Sequence, residues 1–222
     1  MFIPGKVLTV LLAACAGLTA CQSDQGDDLS RADISRVAEL QASFAPPFTT
    51  SAVGPAAVDP RLLAPQTLPP GLTFEPRDCA ASAGGQSVPE GTKGNMSAVT
   101  AEGDGIRYIV IAVETSEPVP ANEPSEQCRK VAFSGAGMRG LVEVVEAPQI
   151  EHTHTVGTHR VLQTTTAQGP RTGELYNYVA KFGNFIVIVT ANPMVVEGKP
   201  VAKVDTARAR DLVTQAVDLV RG

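Results

Sequence analysis

Apolar residues recur along this chain with two different periods. From Ser30 to Phe44 they fall at helical spacing: Ile34, Val37, Leu40 and Phe44 lie on or near one face at i, i+3 and i+7 positions. Ser30 is placed to cap the start of this helix, and Asp33 in the first turn suits the helix dipole. Pro46-Pro47 ends it. Residues 45–70, "APPFTTSAVGPAAVDPRLLAPQTLPP", hold seven of the 17 prolines, which reads as an extended crossing. Its apolar Leu62, Leu63 and Leu68 argue against a fully solvated linker.

After Gly71 the period shortens to that of strands. "LTFEP" reads as a short strand, and "NMSAVTA" and "IRYIVIAVE" flank a hairpin turn at "EGDG". "KVAF", "GLVEVVEA" and "THRVLQTTT" follow. Gly183-Asn184 joins the apolar-rich runs 175–182 and 185–191 in a pattern suited to a two-residue hairpin. Ile109–Val113 and Phe185–Val189 are apolar without alternation, so both faces of these strands are expected to be covered. A second helix begins at Asp205 or Thr206. Ala209, Leu212, Val213, Ala216, Leu219 and Val220 form its apolar stripe, with Arg208 and Arg210 on the polar side. The predicted fold is α+β: a twisted antiparallel sheet of about six to eight strands, flanked by N- and C-terminal amphipathic helices.

The N-terminus follows neither period. Lys6 precedes an apolar run from Val7 to Ala20, which is shorter than the ~20 residues of a spanning helix. A charged start, a short apolar core and small residues before a break mark a secretory signal. The break, Leu18-Thr19-Ala20-Cys21, has the form of a bacterial lipobox, with cleavage before Cys21 and lipid on its sulfur. Leu12-Ala13-Ala14-Cys15 fits the same pattern, but apolar "AGLTA" follows it, whereas polar "QSDQGDDLS" follows Cys21. The expected organisation is a signal at 1–20, a flexible acidic tether at 21–29 and one domain at 30–222. Acyl chains on one cysteine would hold the domain on the extracytoplasmic face of the cell membrane, anchored and not spanning.

Lipidation reduces the cysteine arithmetic. Cys15 leaves with the signal and Cys21 carries lipid, so Cys79 and Cys128 remain for an oxidising compartment, where one disulfide is expected. Removing residues 1–20 takes away Lys6 and moves the formal charge from −5 to −6. That balance opposes nucleic acid and anionic lipid as partners.

Candidate chemistry is sparse. There is no G-x-S-x-G elbow, H-E-x-x-H helix or close cysteine cluster, and no cofactor motif. "SGAGMRG" lacks the Lys-Ser/Thr of a P-loop and reads as a turn. All three histidines, His152, His154 and His159, lie in "IEHTHTVGTHRV". On a strand, His152 and His154 would share a face, and a turn at Val156-Gly157 would return His159 beside them as a metal-ligating set. The same histidines could titrate near neutrality or sit in a polar loop before the strand 158–166. Tyr176 and Tyr178 are candidates for lining a ligand cleft between sheet and helices, or for cross-strand core packing.

The lipobox "LTAC", the acidic tether, the "DLSRADISRVAEL" helix, the Cys79/Cys128 pair and "GELYNYVAKFGNFIVIVTANP" before a terminal helix share one layout. Together they resemble uncharacterised mycobacterial lipoproteins of the domain-of-unknown-function type. These are similar to the extracellular sensor domain of the serine/threonine kinase PknH and, more loosely, to the PsbP/Mog-type α+β fold. The resemblance spans roughly residues 29–222 and is one of layout. The kinase sensor domain is stapled by two disulfides, whereas this chain can form one. The resemblance implies a non-catalytic, sensor-like binding module for a small molecule, a lipid or an envelope protein. An interaction lipoprotein docked on an envelope complex and a histidine-dependent metalloprotein are the alternatives.

Overall fold

A computed structural model describes residues 28–59, 63, 67–85, 88, 91–121, 123–135, 137–167, 169–195 and 200–222. The expected signal, Cys15, Cys21 and Leu62 lie outside the described residues. Among the described residues nine strands form one antiparallel sheet: β1 (Thr49–Ala57), β2 (Thr73–Glu75), β3 (Gly94–Gly103), β4 (Ile106–Thr115), β5 (Lys130–Gly135), β6 (Met138–Val145), β7 (His154–Thr166), β8 (Gly169–Phe182) and β9 (Phe185–Pro193). Their spatial order is β1-β3-β4-β9-β8-β7-β6-β5-β2.

The strand count exceeds the expected six to eight because β1 lies inside the proline-rich segment. It is an exposed edge strand, with a register shift between Val53 and Ala56 that accommodates Gly54-Pro55. Proline is tolerated there because an edge strand leaves one row of N–H groups unpaired. Such a strand has no buried face and so no alternation in its sequence.

The hairpin signals place the turns correctly. Asp104 and Gly105 both take positive φ, as the β3–β4 turn requires. At the β8–β9 turn only Gly183 does so. Gly135 and Gly137, also at positive φ, turn β5 into β6 at "SGAGMRG".

Register and the two-residue side-chain period sort the strands onto two faces. One face carries Val110, Tyr178, Val187 and Val189, and it is covered by the C-terminal helix (Thr206–Arg221) and the N-terminal helix (Ile34–Ser43). Asp205 caps the C-terminal helix by accepting from the Arg208 amide at 3.0 Å. Its expected stripe is buried, Leu219 only partly. Arg208 departs from the expectation of a polar side. Its guanidinium stacks over the Phe44 and Phe48 rings, 4.7 Å from each centroid, and donates to the Ser43 carbonyl.

The N-terminal helix is a 3-10 helix, and Asp33, not Ser30, caps it. Its buried residues, Ile34, Val37 and Leu40, are spaced by three, the repeat of a 3-10 turn. Asp28 caps a separate short turn at Leu29–Arg31.

Among the described residues the opposite face carries no long helix. Met96, Ala98, Ile111, Val113, Ile186 and Ile188 are covered there by Val58, Leu63, Val88 and Val119 from the loops. These loops cross the sheet because consecutive strands are far apart in it. β1 and β3 lie at one edge and β2 at the other, so the chain passes out over this face and returns. β4 and β5 are separated by four strands, so residues 116–129 cross it as well. The middle strands β4 and β9 are thus covered on both sides, as their unbroken apolar runs predict.

Candidate functional site

Ala81, Ser82, Ala83 and Gly85 of the returning crossing and Ala121, Glu123 and Pro124 of the β4–β5 crossing form the walls of a cleft of about 480 Å³ over β7 and β8. Its floor comes from alternate residues: His154, Val156, Thr158 and Arg160 on β7, and Asn177, Val179 and Lys181 on β8. Thr158 pairs with Asn177 and His154 with Lys181, which fixes the two rows side by side. From His154 to Arg160 is six positions of strand, or about 20 Å.

The two walls are covalently joined. Cys79 precedes the 81–85 wall, Cys128 follows the 121–124 wall, and the two form the expected disulfide. Both cysteines are buried with Val131, Phe133 and Val142 at the β5–β6 end of the sheet. At the other end, Lys181 Nζ donates to the Pro120 carbonyl at 3.0 Å, and His154 Nδ1 lies 3.4 Å from Glu123 Oε1. Pro120 and Glu123 of this wall are therefore fastened to the floor by two side chains of neighbouring strands.

The floor is polar where a sheet face is usually apolar. Arg160 is 5% exposed, and burial pulls its guanidinium below its usual range. Burial likewise lowers Lys181. Asn177 Oδ1 accepts from the buried Thr190 hydroxyl at 3.2 Å, which orients the amide. His154 Nε2 is buried and, among the described residues, has no hydrogen-bonding partner.

The structure distributes the predicted site residues differently. No turn occurs at Val156-Gly157; β7 runs unbroken from His154 to Thr166. Gly157 lies opposite Tyr178, and a Cβ there would approach the tyrosine ring to 3.0 Å, so this glycine makes room for a ring and does not bend the chain. His154 and His159 are five positions apart and project from opposite faces. His154 enters the cleft. His159 stacks on Tyr176 at 4.1 Å and bonds Glu174 at 3.1 Å. His152 sits in the turn before β7 at positive φ, beside Glu151. The metal-ligating set is not assembled, and among the described residues no group of three or more His, Cys, Asp or Glu side chains is placed to hold a metal ion.

Of the two readings of the tyrosines, core packing holds and the ligand cleft does not. Tyr178 is 1% exposed in the core beneath the C-terminal helix, and Tyr176 packs at its margin. The cleft opens on the other face of β8, among the residues between and beyond them. Arg160, Asn177 and Lys181 were missed by the sequence reading. The available signal for two of them was Asn177 and Lys181 at i and i+4 on one face of the hairpin strand 175–182.

Comparison with known proteins places the chain. The family model described as "Domain of unknown function (DUF5642)" matches residues 33–221. An uncharacterised Mycobacterium smegmatis protein, the Rv0999 ortholog, has an X-ray structure that superposes with a TM-score of 0.81. It is 58% identical, over 87% of this chain and 100% of that one. The extracellular domain of PknH from Mycobacterium tuberculosis aligns over 84% of this chain and 91% of its own, at 11% identity and a TM-score of 0.37. No curated protein matches. The family match runs from the cap of the N-terminal helix to the last turn of the C-terminal one, and the chain belongs to the DUF5642 family.

Proposed function

We propose that this protein is a lipid-anchored, extracytoplasmic binding module of sensor type, without catalytic activity of its own. The observation that carries the reading is the cleft. Two loop crossings, joined by a disulfide, stand over a floor with a buried arginine, an oriented amide and valine side chains. A concave site of this volume with a few converging polar groups is the usual form of a small-molecule site. The "LTAC" sequence before a polar tether supports the anchor, and among the described residues no helix is long and apolar enough to cross a membrane.

The alternative, a scaffold docking on an envelope complex, would use the β1 edge, where Val53 is 50% exposed. Gly54-Pro55 and the register shift interrupt the N–H row a partner strand needs, which favours the cleft. The test is untargeted mass spectrometry of molecules co-purifying with the full chain, followed by amide exchange of residues 81–85 and 121–124 with and without them. Slower exchange at both walls supports the reading. No co-purifying molecule, and walls indifferent to an envelope extract, would overturn it.

A further inference from the structure

We propose that the centre of the cleft recognises a neutral secondary amide, with the amide group over Thr158 and Asn177 and its apolar substituent over Val156 and Val179. This rests on the binding-module reading and names its ligand class.

Three observations converge. First, Asn177 presents a fixed donor. The residue is 5% exposed, and its Oδ1 accepts from the Thr190 hydroxyl at 3.2 Å, with Thr190 itself buried. That bond leaves Nδ2 as the donor side of the amide. Among the described residues Nδ2 has no hydrogen-bonding partner, and it is not sealed from the cleft that Asn177 lines. A ligand that excludes water here must supply an acceptor, because a buried donor left unpaired is costly.

Second, an acceptor stands beside this donor. Thr158 lies directly opposite Asn177 on β7, which puts their Cβ atoms about 4.5–5.5 Å apart. The Thr158 hydroxyl donates to the Asn177 main-chain carbonyl at 3.5 Å, so its oxygen is left to accept. A secondary amide carries a C=O and an N–H side by side and satisfies both groups. A carboxylate brings no donor for Thr158, and an ammonium brings no acceptor for Asn177.

Third, the next row of the floor is apolar and the cations of the floor are engaged. Val156 pairs with Val179 two positions along, about 7 Å away, and Ala83 faces the same space from the wall. An alkyl group attached to the amide would cover this pair. Lys181 donates to the Pro120 carbonyl at 3.0 Å, and Arg160 has a partner within the protein, so neither selects for an anion.

The experiment uses the full chain, labelled with nitrogen-15 and purified in detergent. The probes are N-propylacetamide and propyl acetate, its ester isostere without the N–H. NMR titration gives both affinities and locates the site, since the Asn177 side-chain amide is itself observed. N-propylacetamide is expected to bind about threefold to tenfold more tightly than the ester and to shift the Asn177 side-chain signal together with the Thr158 and Ala83 amides. Thr158→Val, which keeps the shape and loses the acceptor, should bring the two probes to parity. Asn177→Asp, which still accepts from Thr190 but has no Nδ2, should weaken N-propylacetamide about tenfold. If Asn177→Asp fails to fold, the two probes on the unaltered protein and on Thr158→Val still decide. Equal affinity for both probes, a preference that survives Thr158→Val, or shifts confined to the helix-covered face overturns the inference. If a co-purifying molecule protects the cleft walls while N-propylacetamide shifts nothing there, the ligand class is wrong and the binding-module reading stands. If neither probe nor any co-purifying molecule acts on the cleft, both fail.

Discussion

Replacing both cysteines, as Cys79→Ala/Cys128→Ala, tests the coupling of the two crossings. The disulfide spans a sequence separation of 49 residues. In the chain-entropy model, releasing a loop of about 50 residues returns about 14 cal/mol/K to the unfolded chain, or about 4 kcal/mol at room temperature. For a domain of this size each kcal/mol moves the midpoint by about 2–4 °C, so Tm should fall by about 8–16 °C. Urea denaturation should show the loss together with a steeper slope, because an uncrosslinked unfolded chain exposes more surface. The effect should also be local. Both walls stand next to the disulfide, so residues 81–85 and 121–124 should exchange amides faster while β9, buried on both faces, does not. A loss below about 1 kcal/mol, or exchange that rises uniformly across the sheet, would refute the idea that this crosslink holds the cleft walls in place.

Leu212→Ala, at a 2% exposed position on the buried face of the C-terminal helix, should cost about 2–5 kcal/mol in urea denaturation. Val53→Thr on the exposed edge should stay within about 0.5 kcal/mol. Arg221→Ala should release the turn before β7. Arg221 donates to the Glu151 and His152 carbonyls and the Thr153 hydroxyl and stacks on Phe182, and the loss should be about 1–2 kcal/mol with faster exchange at 151–153. Burial raises all three tyrosines, Tyr108, Tyr176 and Tyr178, above the ordinary value of 10.0. The unfolded chain then releases their protons first, so the contribution is intact below 10.0 and is lost as pH rises through the folded values. Urea midpoints should fall across that range, and phenolate absorbance of the folded protein should titrate above 10.0, while a midpoint at 10.0 would refute the shift. Cys21→Ala should abolish lipid labelling of the exported protein; labelling that survives would point to Cys15.

The parts of the fold written in periodicity were legible from the chain. The C-terminal helix, the β3–β4 and β8–β9 hairpins and the doubly covered middle strands follow from local pattern, because each buries a face set by 3.6- or two-residue spacing. β1 was not legible, since an exposed edge strand interrupted by Gly54-Pro55 carries no buried periodicity. The cleft was hidden for a different reason. Its walls come from residues 81–85 and from Ala121, Glu123 and Pro124, and its floor from residues such as Arg160 and Asn177. These residues meet only because widely separated strands are joined by crossings, which no local pattern encodes. The histidines misled for the converse reason: nearness in sequence on a strand of odd offset sends His154 and His159 to opposite faces.

The place of β9 bears on how the molecule assembles. It is the last strand to be made and the one that joins β4 to β8. Until it inserts, β1-β3-β4 and β8-β7-β6-β5-β2 are two separate ribbons with open inner edges, β4 and β8 each lacking a neighbour on one side. β9 joins β8 by a two-residue turn, but its pairing with the distant β4 is entropically slow. An incomplete chain emerging outside the cytoplasm would therefore present two adhesive edges, and a protein interrupted before Phe185 should be lost to aggregation or proteolysis instead of persisting as a smaller domain.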